Sequence, residues 1–272
     1  MHHSAPSLSS SNCLPSYRRP PVIEVVCGLR FHVLDKISIA HVGLLWDKFR
    51  SDYPVIQHAP PIAAAKGEIL IDKTTGLPLP RVWFINGSDD QLIQFQFDRF
   101  YYNWRRRQEA YPRYRYVISK FENLFDKVED FLKEYELGEL KPVECELSYI
   151  NHIPKDQESK SIDDLPRVFP DFVWRQMNHR FLPSPAKISW QAEFPLQGNK
   201  GHLTVSLRQA IQPEEKVSLY VFELTARGVS ESESKNGIWE WFDVAHEWIV
   251  RGFADLTTRE AQEVFWEREE NA

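Results

Sequence analysis

Two stretches of strict alternation govern how this chain can fold. In residues 22–33, reading VIEVVCGLRFHV, Ile23, Val25, Cys27, Leu29 and Phe31 fall on one face at period two. In residues 143–153, Val143, Cys145, Leu147 and Tyr149 do the same. Successive strand side chains point to opposite faces, so each run predicts a strand with one apolar face.

Each run also opens the same order of elements. After the first, Ile37, Val42, Leu45, Trp46 and Phe49 predict an amphipathic helix over 37–53, ending before Pro54. Strands are expected over 68–71, 82–85 and 91–100, with turns at 74–76 and at Asn86-Gly87. In the third, Ile93, Phe95 and Phe97 oppose Gln94, Gln96 and Asp98, so one sheet face is wet. Tyr114, Val117, Phe121, Leu124, Phe125, Val128 and Leu132 then stripe a long helix over 111–135, with Pro112 in its first turn.

After the second run come a short helical piece over 162–168 and strands over 187–194, 202–207 and 217–227. A helical region carries Trp241, Ala245, Trp248, Ile249 and Phe253. A final helix opens on a capping box, Thr257 with Glu260, and carries Ala261, Val264 and Phe265.

The expected fold is therefore α+β: an antiparallel sheet with long helices packed on one face. It reads as a pseudo-duplicated β-α-β-β-β-α unit, as in TATA-binding and helix-grip architectures. Such an analogy concerns the fold and carries no function. Residues 1–19 read as a Ser- and Pro-rich disordered tail. Residues 20–138 form the first half and 139–272 the second, packed as one unit.

Composition narrows the function classes. Aromatics reach 13% with nine Trp, which suits a ring-rich core. A net charge of -6 weighs against wrapping nucleic acid or lying on an anionic membrane, and no apolar run approaches a membrane span of about 20 residues. Cys13, Cys27 and Cys145 are odd in number and form no C-x-x-C pair, which reads as reduced thiols in the cytoplasm.

The densest chemistry lies in residues 99–115, RFYYNWRRRQEAYPRYR, where six Arg are interleaved with aromatic rings. Arg planes and rings together grip phosphates, carboxylates or bases. The candidate binding residues are Trp104, Arg105, Arg106, Arg107, Tyr111, Arg113, Tyr114 and Arg115. The structural alternative is that the Arg serve the fold. With a negative chain, an acidic protein or anionic ligand fits better than nucleic acid. The acidic C-terminal residues Glu260, Glu263, Glu267, Glu269 and Glu270 could also meet this cluster in a neighbouring copy, giving a homo-oligomer.

Two other readings stay open. Glu144, Glu146 and His152 share one face of their strand and could serve a hydrolase or nuclease. A pocket between sheet and long helix, lined by rings such as Phe95 and Trp190, could hold an apolar small molecule. Asp243, His246 and Glu247 lie within reach of one another on a helix and read as an ion-pair set. No H-x-x-x-H, H-E-x-x-H, phosphate-loop, dinucleotide or G-x-S-x-G pattern occurs, so no catalytic set, metal or cofactor is assigned. The expected function is non-catalytic binding.

Short motifs also carry a likeness. Arg19-Pro20-Pro21-Val22-Ile23-Glu24, Asn103-Trp104-Arg105-Arg106 and Tyr111-Pro112-Arg113-Tyr114 are joined by Ala245-His246, Phe253 and Leu256-Thr257-Thr258, ending near Trp266. In that order they resemble a sporadically distributed family of uncharacterised bacterial and archaeal proteins. The resemblance spans nearly the whole chain after the tail. It implies a single folded unit and brings no established activity.

Overall fold

The computed structural model describes residues 13–62, 71, 76–154, 162–173, 181–183, 185–211, 218–230 and 234–269. The first strand among the described residues, β1 (Ser16–Tyr17), lies in the segment expected as a disordered tail, which is ordered there because it pairs with residues near the other end of the chain, and the first alternating run forms β2 (Val22–Phe31). Helix α1 (Ile39–Phe49) follows, capped by Ser38, and leads to β3 (Val55–Ala59), β4 (Arg81–Ile85), β5 (Gln91–Gln96) and β6 (Arg99–Arg105). Helix α2 (Tyr114–Glu134) closes this part. The second run forms β7 (Pro142–Pro154), followed by a 3-10 turn (Ile162–Arg167), β8 (Ser189–Pro195), β9 (His202–Ile211) and β10 (Ser218–Gly228). Helices α3 (Lys235–Asp255) and α4 (Arg259–Val264) precede a last short strand, β11 (Arg268–Glu269).

Nine strands make one antiparallel sheet in the order β3-β4-β5-β6-β2-β7-β10-β9-β8. The two alternating runs are neighbours at its middle, with Cys27 beside Leu147 and Val25 beside Tyr149. Their apolar faces meet the helices. Phe121 of α2 stacks on Phe100 of β6 at 5.6 Å and meets Phe242 of α3 edge-on at 5.5 Å. Phe121 is fully buried, so its truncation to Ala removes about 3–5 kcal/mol. Lys235 of α3 forms ion pairs with Asp126 and Glu129 of α2, which fix the two helices side by side.

Several elements differ from expectation for identifiable reasons. The single strand expected over 91–100 is two strands, because the chain reverses at Phe97-Asp98 between paired Gln96 and Arg99. No Gly or Asn marks this turn. Asp98 instead accepts from Gln96 Nε2 at 2.9 Å, and its carbonyl accepts from the Phe31 amide. The continuing alternation of Phe100, Tyr102 and Trp104 is the signal that β6 exists. Strand β3 had no apolar pattern to announce it; its residues are mostly exposed at the sheet edge. Residues 68–70 and 74–75 lie outside the described residues, and Ile71 forms a lone bridge to Pro78.

Helix α2 starts at Tyr114, so Pro112 precedes it and Tyr111 stands outside it. The N-cap of α4 is Thr258, whose hydroxyl accepts from the Ala261 amide. Thr257 instead donates to the Phe253 carbonyl at 2.6 Å. Val264 and Phe265 are exposed rather than packed.

Candidate functional site

The Arg-rich segment begins inside the sheet. In β6, Trp104 alternates inward with Phe100 and Tyr102 and is 3% exposed. It sits edge-on to Tyr111 at 5.4 Å and is therefore a core residue that braces Tyr111. Arg105 and Arg107 both pair with Asp89, the latter at 2.7 Å. Arg106 donates to the Pro20 carbonyl at 2.8 Å. Arg113 donates to the Tyr17 carbonyl at 2.8 Å and lies 3.5 Å from Glu269. Arg115 pairs with Asp243 at 3.2 Å. Every guanidinium from Arg105 to Arg115 thus has a partner within the chain. This differs from an open anion-binding surface: the cluster ties local segments together.

What it ties down is a strap. It is formed by residues 14–21, several of which line one pocket together with Tyr149 of β7, Leu224 of β10 and His246 of α3. Ser16 and Tyr17 pair with Glu269 and Arg268, and the amides of Arg18 and Arg19 donate to the carbonyls of Glu267 and Trp266. Arg18 and Arg19 also pair with Glu267, so C-terminal acids meet Arg of their own chain. The Tyr17 ring lies edge-on to Phe253 at 5.4 Å and to Trp266 at 6.4 Å.

Beneath the strap lies a pocket of about 300 Å³. One wall is α3, where His246, Ile249, Val250 and Phe253 recur at helical spacing and form a stripe. The sheet contributes Tyr149, Asn151 and Leu224, and the start of α2 contributes Tyr114. Tyr111 and Tyr149 share a hydrogen bond between hydroxyls at 2.7 Å. Asn151 donates to the Phe222 carbonyl at 3.0 Å. His246 stacks flat on Tyr114, with ring centroids 3.9 Å apart.

The electrostatics of this pocket favour neutral groups. Burial pulls the His246 imidazole down to about 4, against which the nearby Asp243 carboxylate works only partly. Its ring is uncharged at neutral pH. Burial pushes the phenols of Tyr111, Tyr114 and Tyr149 well above their ordinary range, so they remain protonated. The buried Cys27 thiol is also pushed up and is unreactive. The site can hold an apolar body and hydrogen-bond a neutral polar group.

Sequence reasoning reached Tyr111, Tyr114, Arg113 and Arg115 as site residues, and the structure brings them to this pocket. It read Asp243 and His246 as a surface ion-pair set; Asp243 instead pairs with Arg115, and His246 faces the pocket. Glu247 pairs with Arg251 along the helix. Phe95 and Trp190, expected to line a pocket, are not among the residues that line this one. Phe95 is buried in the core, and Trp190 packs edge-on against Phe172 at 4.9 Å.

Glu144, Glu146 and His152 share the opposite sheet face without converging. Glu144 lies 3.6 Å from Arg30 and Glu146 bonds Arg227 at 2.8 Å. Six residues of strand separate Glu146 from His152, roughly 20 Å. His152 is held below its ordinary value by burial and by Arg208. Among the described residues no group of three His, Cys, Asp or Glu is placed to hold a metal. Among the described residues no helix is long and apolar enough to cross a membrane.

No family model and no curated protein matches the chain. Among solved structures it is similar to DynU16, a protein from the dynemicin biosynthetic locus. The match has 10% identity and a TM-score of 0.24, covering 86% of this chain and 97% of that one.

Proposed function

We propose that the protein binds a small apolar molecule carrying a neutral hydrogen-bonding group, in the pocket between sheet and α3. The carrying observation is the pocket itself: a largely apolar wall with the Tyr111–Tyr149 hydroxyl pair, Asn151 and neutral His246 among its lining. A concave apolar cavity with few convergent polar groups is the usual form of a small-molecule site. The two guanidinium groups at its rim are already engaged, which disfavours a carboxylate as the ligand.

Two further readings belong with this one. The order of strands on either side of the β2–β7 seam supports two similar halves, 20–138 and 139–272, joined at their first strands. The free thiols at Cys13, Cys27 and Cys145 support a reducing, cytoplasmic setting.

The test uses Nile red, a neutral dye that brightens in apolar surroundings. Saturable binding to the parent protein is expected, and Val250→Trp, which fills the pocket mouth, should weaken it at least tenfold at unchanged thermal midpoint. Equal binding by parent and variant would place the dye elsewhere and remove the support for this site.

A further inference from the structure

The sheet face turned away from the helices carries a second, wholly different cavity. We propose that it binds a neutral polyhydroxylated ligand of the saccharide class. The cavity is about 430 Å³ and lies over β8, β9 and β10. It shares no lining residue with the apolar pocket and rests on separate observations.

Strand register arranges its groups as a grid. Gln191, Ser206 and Glu223 stand side by side in one row, and Glu193, Thr204 and Thr225 in the next. Adjacent strands place neighbours in a row about 4.8 Å apart, and successive rows lie about 7 Å apart along the strand. The grid therefore offers carboxylate, amide and hydroxyl groups at spacings that suit several hydroxyls on one rigid ligand.

The inner edge of this grid is pre-ordered. Ser148 and Thr225 share a hydrogen bond at 2.8 Å, and Thr225 donates to Glu223 at 3.1 Å. Arg227 is held by Glu146 at 2.8 Å. One oxygen of Glu223 is thus aimed by its neighbour. Glu223 has no cationic partner among the described residues, and the Thr204 and Ser206 hydroxyls have no hydrogen-bond partner there. A group fixed before binding loses little entropy when it binds.

The mixture of groups selects the ligand class. Arg227 is already paired with Glu146, so an anion meets Glu193 and Glu223 without a disengaged guanidinium to receive it. His202 lies 3.9 Å from Glu193, and the hydroxyls and amide set between the two carboxylates match a ligand's hydroxyls rather than a bare charge. A neutral ligand rich in hydroxyls can donate to the carboxylates and accept from Arg227, Gln191 and the threonines together.

The experiment is a chemical-shift titration of the full chain with maltotriose, cellotriose and triacetylchitotriose, each alone. At least one should give saturable shifts confined to β8–β10. Glu223→Gln, which keeps the Thr225 bond, and Thr204→Val should each weaken that binding at least fivefold. Nile red binding should stay unchanged in both variants, which separates this site from the apolar pocket. If none of the three sugars gives a saturable shift, or if spermidine or inorganic phosphate binds these strands more tightly, the proposal fails and the face is an ordinary solvated surface.

Discussion

Arg113 donates from Nη1 to the Tyr17 carbonyl at 2.8 Å while its own backbone sits at φ 75°, ψ 156°. That combination is foreign to a residue with a Cβ and costs on the order of 1–3 kcal/mol. The bond to the strap and the approach to Glu269 are what hold the residue there. Arg113 is therefore the fastening between α2, the strap and β11.

Replacing Arg113 separates strain from fastening. Arg113→Ala should lower stability by about 1–2 kcal/mol, since it keeps the strained backbone and loses the bonds. Arg113→Gly should be more stable than Ala, because glycine occupies positive φ readily. In both variants the Arg18 and Arg19 amides should exchange with solvent faster by at least tenfold. Equal stability of the Ala and Gly forms would show that the backbone carries no strain.

Changing Arg105, Arg106 and Arg113 together to Ala distinguishes a surface patch from a structural tie. The internal partners predict a loss of about 2–3 kcal/mol, because the Pro20 and Tyr17 carbonyls lose charged donors. An unchanged thermal midpoint would restore the reading of a free docking surface.

His246 sets an acid limit on stability. Its folded value of about 4 lies below the ordinary 6.5, so the unfolded chain takes up the proton first as pH falls. The contribution is complete above pH 6.5 and is lost between 6.5 and 4, at most about 3 kcal/mol. His246→Phe keeps a ring against Tyr114 and should flatten this part of a denaturation-versus-pH profile. A slope equal to that of the parent protein would assign the effect to other groups.

Glu24 acts in the opposite sense. Burial raises its carboxyl above the ordinary value, opposed by the Asn103 hydrogen bond and by Arg105, while the Glu223 carboxylate across Ile150 adds to the rise. The fold therefore loses stability as pH climbs from the ordinary carboxyl value through the raised one. Glu24→Gln still accepts from Asn103 and should raise the thermal midpoint at pH 7 but not at pH 4. A fall at pH 7 would mean that the charge itself is stabilising.

The strands and helices were legible where local pattern and burial agree. The alternation of Val25, Cys27 and Leu29 and the stripe of Tyr114, Val117 and Phe121 identify elements that face the core in the structure. The turn at Phe97-Asp98 was not legible, because its one turn-forming residue, Asp98, falls in step with the polar positions Gln94 and Gln96 and so reads as a continuing strand. Missing it left Trp104 among the candidate binding residues, whereas its place in β6 buries it in the core. The pocket was only half visible. Tyr111 and Tyr114 were in view, but their neighbours Tyr149 and His246 arrive from strands and helices far away in sequence. The helical recurrence of His246, Ile249, Val250 and Phe253 was the available clue to that wall.

The bond between Ser16 and Glu269 spans 253 positions of chain. Closing so long a loop costs more entropy than any local contact, and the cost is met only after the intervening sheet has formed. The strap over the apolar pocket is thus among the last parts to assemble. In pulse-labelled refolding, the Arg18 and Arg19 amides should gain protection after those of β2 and β7. The apolar pocket is then a late product of folding, and any molecule that fills it meets a complete fold and no earlier intermediate.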